Sequence, residues 1–68
     1  MAGSVARVTE ISAKSDTSFE DAIKIGVDRA TQTLRGVTSA WVKEQEAEVT
    51  DGRITGYKVN LLITFILE

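Results

Sequence analysis

A chain of 68 residues with no Cys, His or Pro has room for one domain around a small core, and lacks the disulfides or soft metal ligands that staple small domains. Association between copies is the staple that remains. Its 8 Lys+Arg against 10 Asp+Glu give a formal net charge of -2, too little of either sign for a nucleic-acid footprint or a polybasic membrane patch.

The start "MAGSVARVTE" lacks the apolar stretch of a signal peptide, and no run of about 18 apolar residues follows, so a soluble, cytoplasmic protein without nucleic-acid or membrane partners is expected. Ser4 to Ser12, "SVARVTEIS", mixes β-branched with polar residues and runs into the polar cluster "AKSDTS", as a short strand entering a turn does. Next, Phe19, Ala22, Ile23, Gly26, Val27, Ala30 and Leu34 recur at steps of three and four, the apolar stripe of a helix. Thr17 with Glu20 and Ser18 with Asp21 both fit the hydroxyl-then-acid capping pattern, and Gly36 offers a stop.

Two strand-like runs follow, Val37 to Val49 and Ile54 to Leu67, joined through "TDGR", whose Asp51 and Gly52 suit a tight hairpin. The order is β-α-β-β in an α+β domain. On the last strand Tyr57, Val59, Leu61, Ile63, Phe65 and Leu67 share one face, expected under the helix; Gly56, Lys58, Asn60, Leu62, Thr64 and Ile66 share the other. Ala40 and Val42 match the helix face. By alternation, Ser39, Trp41, Lys43 and Gln45 then turn to the side that the single helix cannot cover. With Leu62 and Ile66 on the same side, a monomer would expose an apolar patch, and a symmetric homo-oligomer is expected.

Several residues of the last two strands can carry chemistry. The sole tryptophan, Trp41, is either an aromatic platform for a small planar ligand at a two-fold axis or an anchor in a subunit contact. Lys58, Lys43 and Gln45 are placed to meet a phosphate tail or ring carbonyl, or else form a solvated face and intersubunit salt bridges. Glu44, Glu46 and Glu48 alternate, so three carboxylates stand on one strand face at ~6–7 Å steps, oxygen ligands of the kind Ca²⁺ or Mg²⁺ accepts. The plainer reading has them overhanging the helix, facing water or paired with Arg53 and Lys43. No Cys or His nucleophile or base and no Gly-rich phosphate cradle is present, so no enzyme is expected. The hydroxyls of "SAKSDTS" are explained by helix capping.

"SVARVTEIS" entering an S-x-x-S turn, "RATQTLR" (Arg29 to Arg35), "DGRI" (Asp51 to Ile54) and the ending "ITFILE" (Ile63 to Glu68) stand in an order and ungapped spacing that resemble the dodecins. These are small β-α-β-β proteins with a three-stranded antiparallel sheet, assembling as hollow twelve-subunit shells, many of which bind flavins in pairs at two-fold interfaces. The resemblance implies a homododecamer that stores a flavin such as riboflavin or FMN, protecting it by stacking and burial. The family's stacking Trp falls on Ser39 here, its ring-binding Gln on Lys58 and an Arg on Glu46, while Trp41 stands two residues beyond Ser39 on the same strand face. The run "VKEQ" resembles instead the calcium dodecins, which lack the stacking Trp. The sequence therefore carries two expectations, a flavin-sequestering shell with Trp41, Ser39, Gln45, Lys58 and Lys43 at the pocket, and a flavin-free structural shell holding divalent cations.

Overall fold

The computed structural model describes residues 3–67; Glu68, the last residue of the closing motif, lies outside the described residues. Strand β1 (Val5–Ser15), helix α1 (Phe19–Thr33), strand β2 (Val37–Thr50) and strand β3 (Arg53–Leu67) follow one another, the β-α-β-β order expected. All pairings are antiparallel and the sheet order is β1-β3-β2. The last strand occupies the centre of the sheet, with Val59, Leu61 and Ile63 fully buried toward the helix and Leu62 and Ile66 on the reverse.

β1 runs past the expected boundary at Ser12. Ala13 and Ser15 pair with Val59 and Tyr57 on the helix side and are buried there, so the polar cluster is strand end and cap rather than turn alone. The Ser15 hydroxyl donates to Asp21 Oδ2 at 2.6 Å and accepts from the Thr17 N–H at 2.9 Å. Ser18 is the N-cap, its hydroxyl accepting from the Asp21 N–H at 3.0 Å. Of the two capping pairs in the sequence, Ser18 with Asp21 is therefore the one at work. The Asp21 carboxylate reaches back to the strand rather than to the cap backbone, tying β1 to α1.

The helix lays Ala22, Gly26 and Ala30 on the sheet, small residues at successive turns that let the two backbones approach. At Gly26 a Cβ would sit 2.7 Å from Leu61 Cδ1 and 3.1 Å from Ala13 Cβ, closer than packed carbon atoms stand, so a side chain there would force the buried Leu61 to move. Phe19, Ile23, Leu34, Ala40 and Val42 close the core around this line. The helix stops at Thr33 with Leu34 as its cap, and Gly36, two residues on, accepts the Ile66 N–H at 3.0 Å. In the hairpin Asp51 and Gly52 have φ of 53° and 76°, the pair of positive values that a tight turn between twisted strands requires.

The β2–β3 hairpin is much longer than the helix. Its strands hold 14 and 15 residues, roughly 50 Å of extended chain, whereas α1 spans about 22 Å; the molecule measures 56 × 19 × 14 Å. The edge-to-face contact of Phe19 on Tyr57, centroids 5.1 Å apart, marks where the helix begins to cover the sheet. Beyond it the hairpin arm projects, with Val49 and Ile54 exposed opposite one another. At the other end Leu67, expected in the core by alternation, is exposed because the strand outruns the helix.

Candidate functional site

One helix covers one side of the sheet, and the other side is open. β1 turns Val8, Glu10, Ser12 and Lys14 to it, since these pair with the outward Thr64, Leu62, Asn60 and Lys58 of β3. From β2 come Ser39, opposite Thr64, and Trp41, opposite Leu62. The indole of Trp41 is 71% exposed, an unusual state for the largest apolar side chain in a protein. Around it the face is apolar, through Leu62, Ile66 and the exposed Val8. Farther along toward the hairpin arm it is charged.

The boundary between these halves is a bulge in β2. Val42 pairs with Leu61 and Glu44 with Asn60, so the strand gains Lys43 as an extra residue and its alternation reverses. The reversal corrects two sequence expectations. Gln45 pairs with Val59 and so belongs to the helix side, not to the face of Ser39 and Trp41 as strict alternation required. Glu44, Glu46 and Glu48 pair with Asn60, Lys58 and Gly56, which places all three carboxylates on the open face, running from the Trp41 end toward the hairpin arm, not on the helix side. Lys43 itself still reaches the open face, where its ammonium lies 3.5 Å from Glu10 Oε1 across the central strand.

Each carboxylate of the row is engaged singly. Glu44 Oε1 accepts from Asn60 Nδ2 at 3.0 Å, Glu46 Oε1 lies 3.0 Å from Lys58 Nζ, and Glu48 Oε1 lies 2.7 Å from Lys14 Nζ. The last pair bridges two edge strands over Gly56, where a Cβ would meet Glu48 Oε1 at 2.6 Å. These partners replace Arg53 and Lys43, the ones the sequence suggested for the acids. The hydrogen bond from Lys14 holds the Glu48 carboxyl below its ordinary value, and the same bond raises Lys14. Lys58 is raised by its hydrogen bond to Glu46.

A depression of about 200 Å³ is lined by Glu44, Gln45, Glu46, Lys58 and Asn60; the side chain of Gln45 belongs to the helix side and that of Lys58 to the open face, so the two are not brought together as one pocket wall, and Trp41 and Ser39 lie farther along β2. Sequence reasoning did not nominate Asn60, Glu10 or Lys14; an Asn amid the apolar run of β3 was the available signal. For a divalent cation the donor set of one chain does not converge: among the described residues no three carboxylates gather at one point. For a flavin the flat exposed indole supplies a stacking surface, and the amide of Asn60 and ammonium of Lys58 are donors of the kind that ring carbonyls accept. Among the described residues no helix is long and apolar enough to cross a membrane.

A family model described as Dodecin matches residues 5–68. Among solved structures, the dodecin of Streptomyces coelicolor is 32% identical over 100% of this chain and 97% of its own, with a TM-score of 0.91. A variant of Thermus thermophilus dodecin is 32% identical over 97% of this chain and 98% of its own, with a TM-score of 0.89. The calcium dodecin of Mycobacterium tuberculosis, described as calcium-chelating with a calcium-binding site, is 33% identical over 96% of this chain and 93% of its own, with a TM-score of 0.81. No curated protein matches by sequence.

Proposed function

The chain belongs to the dodecin family, and on that premise we propose that it is a non-catalytic binding protein, a homododecameric shell that sequesters a flavin against Trp41. The observation that carries the reading is the indole of Trp41, 71% exposed on the sheet face opposite the helix. Left bare, that face costs about 25 cal/mol for each Å² of apolar surface held in water. Two copies meeting there about a two-fold axis would bring two indoles together with a planar ligand between them, each aromatic stack adding about 0.5–1.5 kcal/mol beyond burial. The bound ring would supply its own photochemistry. The chain's part is to stack on one face, offer Asn60 and Lys58 as donors, and exclude water.

The position that holds the stacking residue in flavin-binding dodecins is Ser39 in this chain. Ser39 and Trp41 both pair with outward residues of β3 on the same side of the bulge, so the platform is displaced along the strand by two residues, about 7 Å, without changing face.

The test is a titration of the purified protein with riboflavin, following flavin emission and the emission of its single tryptophan. Mutual quenching that disappears in Trp41→Ala supports the reading. Flavin emission unchanged at micromolar protein removes it. The Glu44, Glu46, Glu48 row and the calcium-binding relative favour a second reading, a flavin-free shell whose cations are held by carboxylates of several copies; dissociation in EDTA would support that reading.

A further inference from the structure

Resting on the flavin reading, the charges on the open face bear on which form of the ligand is bound. The open face carries Lys14, Lys43 and Lys58 against Glu10, Glu44, Glu46 and Glu48. Every one of these ammonium groups is already held by a carboxylate, Lys14 by Glu48, Lys43 by Glu10 and Lys58 by Glu46. Among the described residues Glu44 has only the neutral amide of Asn60, so their outward groups include one more negative than positive. No arginine stands at an outward position of the three strands, and a guanidinium fork is the group that best captures phosphate. The lysine of the depression, Lys58, has Glu46 and Glu44 beside it in the lining. A phosphate arriving there would have to displace Glu46 from its ion pair and stand next to Glu44.

We propose that the site selects an uncharged planar heteroaromatic ligand and discriminates against its phosphate ester, riboflavin being preferred to FMN. At a two-fold axis the negative excess is doubled, since both copies present the same row. Like charges a few Å apart in water cost on the order of a factor of five in affinity, an effect that salt removes.

Riboflavin and FMN are titrated in parallel against the intact assembly at low and at high salt, and again with Glu46→Gln, which removes one negative charge and releases Lys58. Riboflavin is expected to bind about fivefold or more tightly than FMN at low salt. The gap is expected to narrow in high salt, and to narrow in Glu46→Gln because FMN affinity gains more than riboflavin affinity does. FMN binding as tightly as riboflavin at low salt, or more tightly, would overturn the inference while leaving the flavin reading intact. Binding of neither compound would remove both.

Discussion

The two faces of this sheet are made from the same strands and held to different standards. Under the helix, tolerance is a fraction of an ångström: Gly26 is there because a single methyl would come within 2.7 Å of Leu61 Cδ1, and Val59, Leu61 and Ile63 are wholly enclosed. On the open face, Trp41 touches little and the polar groups are satisfied one by one across strands. The first face is specified by shape and the second by pairing. A face specified by shape loses stability when atoms are removed, and a face specified by pairing has side chains available for something outside the chain.

Three measurements bear on that contrast. Leu61→Ala removes a fully buried side chain from beneath Gly26 and is expected to cost about 2–5 kcal/mol, read as the loss of unfolding free energy in denaturant; a cost below 1 kcal/mol or so would mean that the helix settles into the gap and the covered face is softer than its contacts imply. Trp41→Ala on the open face is expected to lower the stability of the ligand-free protein by no more than about 0.5 kcal/mol, since the indole is 71% exposed. A loss as large as that of Leu61→Ala would show the indole clamped by another copy rather than open to a ligand.

The smallest effect is that of pH. Glu48 is held below its ordinary 4.5 by Lys14, so its contribution is present above that value and fades as pH falls through the lowered one. Lys14 and Lys58 are raised above 10.5 by Glu48 and Glu46, so theirs is present below 10.5 and fades as pH rises through the raised values. Thermal midpoints measured between about pH 5 and 10 should therefore lie on a plateau, with shallow declines outside it. A step near neutrality would contradict this, as the chain has no His to titrate there.

The element order, the helix stripe, the hairpin turn and the two faces of β3 were legible in the sequence because each is a periodic or local signal: Val59, Leu61 and Ile63 alternate without interruption, and Asp51 and Gly52 are the residues a primed turn selects. The face of Gln45 was not legible. Alternation carries a face assignment only while the count is unbroken, and the bulge between Val42 and Glu44 is marked by no Gly or other unusual residue. The end of β1 was misplaced for a different reason: Ser15 looks like a turn residue, yet it is 4% exposed because Asp21 and the Thr17 N–H satisfy its hydroxyl. Such cross-element bonds leave no periodic trace. Trp41 was placed correctly on the open face because it precedes the bulge.

The sheet order has a kinetic consequence. β3 is the central strand and follows the other three elements in the chain, so β1 and α1 emerge with apolar stripes before the strand on which they are laid. The β2–β3 hairpin is the one pairing available between neighbours in sequence, and closing β1 onto it spans the whole chain, as Val5 opposite Leu67 makes plain. Such closure is slow because loop entropy must be lost before contacts reward it. Until then the nascent helix offers its small-residue stripe to any apolar partner nearby, and other copies of the same chain are the partners at hand.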